Sequence, residues 1–200
     1  SDEYCNWVID LACGKAQDLT KYIDCDIKNI LMIDNDISAL TEVIHRKYTY
    51  INNKNNNHLS NIFIKHLDLS ESYKKNIDNI CKPPFGILTN GVPLVICNLA
   101  LHYLIPNKSK IQNFCNLLNK LLEPGGIFIF TSFNGKKIFD LLKETDAWHK
   151  YKDGKLIYSI KKKYTGEVFT GLNQKIDVLL PFSNGMYYTE YLINDDLLEN

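Results

Sequence analysis

Four polar residues, Asp10, Asp34, Asp68 and Asn98, each close an apolar run of the chain. Around the first, Trp7-Val8-Ile9-Asp10-Leu11-Ala12-Cys13-Gly14-Lys15-Ala16-Gln17-Asp18-Leu19 passes from an apolar run through a small-residue turn into an amphipathic segment. A strand–loop–helix start of this kind brings backbone close to a ligand at a helix N-terminus, which is how α/β nucleotide-binding units work. Gly14 permits that approach because it has no side chain. The fourth run leads into Asn98-Leu99-Ala100-Leu101-His102-Tyr103. No Ser/His/Asp or Cys/His grouping pairs a nucleophile with a base. The six cysteines contain no Cys-x-x-Cys pair, so neither a zinc site nor a disulfide framework is expected. The chemistry in view is the binding and orientation of a nucleotide-like ligand.

Holding four such groups at one rim needs a sheet. The first strand is expected over Tyr4 to Leu11, followed by a helix from about Gln17 with Leu19, Tyr22 and Ile23 inward. Ile30 to Ile33 is the second strand. Asp36 then caps a helix whose apolar face is Ile37, Leu40, Val43 and Ile44. Asn52 to Asn57 is a polar loop, Ile62 to Leu67 the third strand, and a helix follows from Glu71 until Pro83-Pro84. Leu94 to Cys97 is the fourth strand. Ser109 and Gln112 are expected as the capping box of a helix with Ile111, Phe114, Cys115, Leu118, Leu121 and Leu122 on one face. Glu123-Pro124-Gly125-Gly126 is expected to end it as a turn before the fifth strand, Ile127 to Thr131.

Strands alternating with helices imply a parallel sheet with right-handed crossovers and helices on both faces. Ligands of such sheets sit beyond the carboxyl ends of the strands, where Asp10, Asp34, Asp68 and Asn98 fall. Beyond residue 150 the pattern changes. Lys155 to Tyr164 and Lys175 to Leu180 alternate as antiparallel strands, and Tyr188 to Leu198 is expected as a last helix or turn. One domain is expected, with a core over residues 1–145 and a β-rich addition over 146–200.

With 200 residues, 45% apolar and 23% charged, the chain has the composition of a globular domain able to bury a core. Zero formal charge gives no overall field towards nucleic acid or membrane, so an anionic partner must be drawn by a local patch such as Lys136-Lys137 or Lys161-Lys162-Lys163. A solvated face is the plainer account of each patch. No apolar run approaches the roughly 20 residues that span a bilayer. Unpaired thiols and no secretory leader point to a reducing compartment, the cytoplasm, and not to secretion.

With these residues placed, the chain resembles the class I S-adenosylmethionine-dependent methyltransferases, a Rossmann-like fold, and more narrowly the mRNA cap (guanine-N7) methyltransferases. The resemblance rests on the acid, Cys-Gly-Lys turn and later Asp-Leu between Asp10 and Leu19, and on Ala-Leu-His-Tyr at Ala100 to Tyr103. It rests also on Leu-x-Pro-Gly-Gly at Leu122 to Gly126, and on Glu190-Tyr191-Leu192 after Leu180-Pro181-Phe182-Ser183-Asn184-Gly185. That last pair is most similar to the C-terminal methyltransferase domain of the multifunctional capping enzymes of large cytoplasmic DNA viruses. The chain departs from the family pattern at Ala12 and Ala16, where glycines are usual, and at Asn98, where Gln is usual. A methyl group at each alanine is expected to narrow the room for the cofactor's methionine tail. The family's N-terminal Lys-bearing helix and its last strands are missing, so a fragment or trimmed domain is expected.

The resemblance implies S-adenosylmethionine as cofactor and guanine N7 of a 5′-capped RNA, GpppN, as acceptor. It implies cofactor contacts from Asp10, Ala12, Gly14, Asp18, Asp34, Asp68, Leu69, Asn98 and Leu99. Asp34 would accept from both ribose hydroxyls, and Asp68 from the adenine amino group with the Leu69 amide beside it. Asp10 and Asp18 would offset the positive charge of the methionine end, although Asp18 is equally a first-turn helix acid. His102 and Tyr103 would face the acceptor. Glu190 would accept together from guanine N1–H and its 2-amino group, and Phe133 would lie against a base or in the core. The Lys-rich segments are candidates for the triphosphate bridge and RNA backbone. No metal and no acid/base group is implied, because N7 carries a free lone pair. Triphosphatase and guanylyltransferase domains of the same polypeptide, or a stimulatory subunit, are the further partners implied. Two other readings stay open: a methyltransferase with a different acceptor, and a non-catalytic relative that binds RNA or a partner subunit.

Overall fold

The structure is a computed structural model that describes residues 6–52, 60–82, 90–181 and 183–197. The expected start of the first strand at Tyr4, the loop beyond Asn52, the Pro83-Pro84 break, Phe182 and Leu198 lie outside the described residues. The chain folds as two compact units. The first holds residues 1–100 and 112–131, the second 101–111 and 132–200.

The first unit is a five-stranded parallel sheet of β1 (Trp7–Leu11), β2 (Asn29–Asp34), β3 (Asn61–His66), β4 (Val92–Asn98) and β5 (Leu122–Thr131), in the order β3-β2-β1-β4-β5. The order reverses between β1 and β4, so the carboxyl ends of those two strands flank the switch point at which α/β sheets bind ligands. β1 and β2 are apolar and almost wholly buried, as central parallel strands must be. Helix α1 (Leu19–Asp24) turns Leu19, Tyr22 and Ile23 into the core. In α2 (Ile37–Asn52) the Asp36 carboxylate accepts from the Ser38 and Ala39 amides, as a cap should. Only Ala39, Leu40 and Val43 are buried there. Ile37 and Ile44, expected on that face, are exposed, because the helix lies against the sheet along a narrower stripe. Ser72 caps α3 (Tyr73–Cys81), two residues later than the start expected at Glu71.

Two expectations for the fifth β–α unit change. Helix α5 (Lys108–Leu121) is capped by Asn107, whose Oδ1 accepts from the Lys110 amide at 3.0 Å and from Ser109 Oγ at 2.8 Å. The helix therefore starts one residue before Ser109, and the Ser109/Gln112 box does not form. Its buried stripe is Phe114, Leu117 and Leu121, while Cys115 is exposed. Glu123 to Gly126 does not stand outside the strand either. The β4–β5 register jumps from Val92↔Leu122 to Leu94↔Ile127, so these residues bulge out within β5.

The second unit contains α4 (Leu101–Leu104), α6 (Gly135–Leu141) and an antiparallel sheet in the order β6-β7-β8-β9. Its strands are β6 (Ala147–Lys152), β7 (Lys155–Lys162), β8 (Lys175–Leu179) and β9 (Tyr188–Tyr191). β6 and both short helices were not anticipated. Tyr188 to Tyr191 is a strand and not a helix, because it pairs with β8 from Lys175↔Tyr191 to Val178↔Tyr188. A single 3-10 turn follows at Asp195–Leu197. Even-numbered positions of the sheet (Trp148, Ile160, Ile176, Val178) pack on Ile138, Phe139 and Leu142, which closes a small core. No helix among the described residues is long and apolar enough to cross a membrane.

Candidate functional site

In the first unit, the turn after β1 is built from alternating left-handed residues: Ala12, Gly14 and Ala16 have φ of 54°, 52° and 54°. The winding explains why glycines suit these positions, since an L side chain is strained there. The two alanines differ in where their methyl groups go. Ala16 is buried in the core beside Leu19 and Tyr22. Its methyl therefore packs inward, contrary to the expectation that it would crowd a ligand. Ala12 is half-buried at the turn itself.

Asp34 fastens this turn. Its Oδ2 accepts from the Gly14 N–H at 2.7 Å and its Oδ1 from the Asp36 N–H at 2.8 Å. Each carboxylate oxygen keeps a second lone pair, enough to accept from two vicinal hydroxyls. The Leu67 N–H donates to the Asp34 carbonyl at 2.9 Å, which sets the end of β3 against the end of β2. Asp68 follows, exposed, with Oδ1 accepting from the Ser70 N–H at 2.8 Å, and Leu69 beside it is buried.

Asp10 is 3% exposed and accepts from the Tyr22 hydroxyl at 3.0 Å. Burial, aided by the charges of Asp18 and Asp34, pushes its pKa up to about 7 against the lowering effect of that bond. Asp18 does not cap α1 with its side chain. Its Oδ1 accepts from Lys21 at 2.6 Å and its Oδ2 from Asn98 Nδ2 at 2.8 Å. The Lys21 bond, and after it the Asn98 bond, hold its pKa below the usual carboxylate range. Asn98 Oδ1 in turn accepts from Thr131 Oγ1 at 3.2 Å, and Thr131 Oγ1 accepts from the Leu99 N–H at 3.1 Å. Leu99 stands 55% exposed in a left-handed kink, φ 51°, just past β4. Asp10, Gly14, Asp18, Asp34, Asn98 and Leu99 are thus held at the ends of the central strands, with Asp68 and Leu69 one strand further out.

Three carboxylates around one turn, one of them buried without a cation beside it among the described residues, make a setting for a ligand with a positively charged end. The acceptor-only Asp34 suits a ribose. Tyr22 and Thr131 were not anticipated as members of this network. A tyrosine on the inward face of a helix needs a buried partner for its hydroxyl, and that was the available signal for Tyr22. Thr131 carried none, since its partners lie 32 and 33 residues away.

In the second unit His102, Phe133 and Glu190 line one small pocket, together with Gly135, Ile138 and Ile193. Gly135 packs so closely on the Ile193 backbone that a Cβ would collide with it. Glu190 is 5% exposed, on the core-facing side of β9 opposite Ile176. Tyr103 donates its hydroxyl to Glu190 Oε1 at 3.3 Å, and its ring centroid lies 4.1 Å from that of His102. Burial raises the Glu190 pKa to about 7, despite the Tyr103 bond, and lowers that of His102 to about 4. His102 Nε2 lies 3.5 Å from Glu190 Oε2 without a hydrogen-bond partner among the described residues. With the imidazole neutral, this is a close polar contact and not an ion pair. All four residues expected at the acceptor are therefore gathered around one buried carboxyl group.

Comparison with known proteins adds a family. The profile of the mRNA (guanine-N(7))-methyltransferase domain matches residues 2–173. The chain is 35% identical over 198 residues to an mRNA-capping enzyme of African swine fever virus, covering 96% of this chain and 23% of that protein. It is 32% identical over 124 residues to an mRNA cap guanine-N(7) methyltransferase of Caenorhabditis elegans, covering 62% of this chain and 30% of that one. The chain thus spans less than a quarter of the viral relative. Among solved structures, an S-adenosylmethionine-dependent methyltransferase from Clostridium acetobutylicum superposes with a TM-score of 0.61 at 16% identity, over 96% of this chain and 69% of that one, which shows the fold.

Proposed function

The chain belongs to the mRNA (guanine-N(7))-methyltransferase family, whose cofactor is S-adenosylmethionine, and from that premise we propose that this domain methylates guanine N7 of 5′-capped RNA. The observation that carries the reading is the buried Glu190 carboxyl group with His102, Tyr103 and Phe133 around it. As a carboxylate, Glu190 accepts from guanine N1–H and the 2-amino group at once, a pair of donors that adenine lacks. A base without them leaves a buried acceptor unsatisfied, which costs several kcal/mol and supports discrimination of about a hundredfold or more.

N7 attacks the methyl carbon with its own lone pair, so no residue has to remove a proton. S-adenosylmethionine, when bound, would supply the methyl group, its carbon–sulfur bond breaking as the carbon–nitrogen bond forms and its positive charge moving to the purine. The protein's share is orientation and electrostatics, and alignment alone is worth roughly 7–11 kcal/mol of barrier. In this proposal Asp34 holds the ribose hydroxyls and Asp68 with the Leu69 amide the adenine edge. Asp10 faces the cationic methionine end, while Ala12 and Gly14 supply close backbone. Asp18 and Asn98 position the turn and the Leu99 kink. His102, Tyr103 and Phe133 hold the guanine ring. Triphosphatase and guanylyltransferase domains of one polypeptide in the cytoplasm would supply the GpppN ends, a proposal supported by the short span of the viral capping enzyme that the chain covers.

The test is to incubate the full chain with labelled S-adenosylmethionine and RNA bearing GpppN or pppN ends, then digest and identify the labelled base. Label in 7-methylguanine from GpppN RNA alone is expected. Label in any other base, or equal label on pppN RNA, overturns the reading.

A further inference from the structure

The second unit is rich in lysine, and part of that charge forms a row on one side of its sheet. Between Ala147 and Leu180 there are seven lysines against three acids, in a chain whose formal charge is zero. Strand alternation divides them, Lys150 and Lys162 falling on the even-numbered side and Lys161 and Lys175 on the odd-numbered side. Even-numbered positions face the core, and Glu190 is among them. Odd-numbered positions form the opposite face, with Lys161 on β7 beside Asp177 and Thr189, and Lys175 beside Tyr191. Lys163 extends the row, its backbone N–H donating to the Lys175 carbonyl. Asp177 lies within the row, accepting from Thr189 at 2.8 Å and pairing with Lys163 at 3.2 Å, so it offsets one of the three positive charges and the row keeps a positive excess. Aromatic rings are interleaved with the cations. Lys161 Nζ lies 4.1 Å from the centroid of Tyr187, and Lys175 Nζ lies 5.7 Å from that of Tyr191.

Ammonium groups beside partly exposed aromatic rings are what a single-stranded nucleic acid needs, phosphates on the cations and bases stacked on the rings. The place of this face matters as much as its composition. Glu190 and Tyr191 are neighbours on β9, and β9 is an edge strand. Their side chains point to opposite sides of the sheet. A strand whose first base sits at Glu190 need cross only that edge to reach Tyr191, Lys175 and Lys161, with no further strand paired there among the described residues.

We infer that the outward face of the antiparallel sheet, formed by Lys161, Lys163, Lys175, Tyr187 and Tyr191, binds the single-stranded RNA that follows the cap. The inference rests on the proposed cap reading for the direction of the strand, but it is tested without a cap. Binding of the full chain to an uncapped single-stranded oligoribonucleotide is measured by fluorescence anisotropy across a salt series. For a triple variant K161Q/K163Q/K175Q the slope of log affinity against log salt should become shallower by about 2, at about 0.7 per lost contact. Tyr187→Ala should weaken binding about tenfold or more through lost stacking. A control triple variant of exposed lysines in the first unit, K28Q/K74Q/K120Q, removes the same charge and should leave the slope as in the unaltered chain. Methylation of the dinucleotide GpppG, which has no RNA body, reports whether each variant is folded. Equal slopes in the two triple variants, or full oligonucleotide affinity in Tyr187→Ala, overturn the inference. Failure of the unaltered chain to methylate GpppG counts against the cap reading instead, while the oligonucleotide result still decides this one.

Discussion

The Gly14 N–H donates to Asp34 Oδ2 at 2.7 Å, so the turn after β1 is fastened to the end of β2 by the carboxylate assigned to the ribose. Asp34 therefore has two roles that one substitution removes together. Asp34→Ala leaves the Gly14 and Asp36 amides without their charged acceptor, a loss of about 2–4 kcal/mol in stability. It should raise the cofactor Kd at least a hundredfold by titration calorimetry and leave cap-dinucleotide affinity within about threefold. Equal losses for both ligands would remove the assignment to the ribose.

Glu190 should show the opposite split. Glu190→Gln keeps the size of the side chain and loses the second acceptor, so KM for the cap should rise about a hundredfold with the cofactor Kd unchanged. Because burial lifts its pKa to about 7, the unaltered protein should bind the cap more tightly as pH rises through 7, where the carboxylate forms. The variant should lose that dependence. Binding isotherms at pH 6 and 8 measure both effects.

The sheet was legible because parallel strands and their crossovers leave local marks: an apolar run, a polar residue at its end, a helix face with period 3.6. Asp10, Asp34, Asp68 and Asn98 could be set at one rim on that basis alone. What stayed hidden depends on contacts distant in sequence. The bulge of Glu123 to Gly126 is decided by pairing with Val92 and Leu94, and Asn107 outcompetes Ser109 as a cap through a geometry that two polar residues two positions apart do not reveal. β9 reads as a helix or turn in the sequence because Tyr188 to Tyr191 is too short to show a period, and only its partner β8 determines its state. From the sequence Asp18 is equally a ligand contact and a first-turn helix acid. The structure gives it a third role, bridging Lys21 and Asn98.

Ala12 allows a test of backbone strain apart from chemistry. An alanine at φ 54° is held against a steric cost of about 1–2 kcal/mol that glycine does not incur. Glycine returns part of that through its freer unfolded chain. Ala12→Gly should thus stabilise the domain by about 0.5–1 kcal/mol in urea unfolding. The buried Ala16 methyl packs in the core, so Ala16→Gly should gain less or lose stability.

Asp10 links stability to ligand binding through pH. Folding lifts its pKa from 3.8 to about 7, so folding favours the protonated form. The resulting stabilisation is complete below pH 3.8 and is lost as pH rises through 7, a span worth about 4 kcal/mol at most. The domain without cofactor should accordingly be more stable at pH 5.5 than at pH 8, as far as this group decides it. Asp10→Asn should flatten that part of the profile and stabilise the protein at pH 8. A cofactor with ammonium and sulfonium charges needs the ionised form, so binding near pH 6 should expel a proton. Calorimetry in two buffers of different ionisation enthalpy would show that release, and cofactor affinity should rise as pH climbs from 6 to 8. Asp10→Asn should lose both the proton release and the pH dependence while keeping its added stability. A cofactor affinity that stays flat over that range in the unaltered protein would place the cationic end of the ligand away from Asp10.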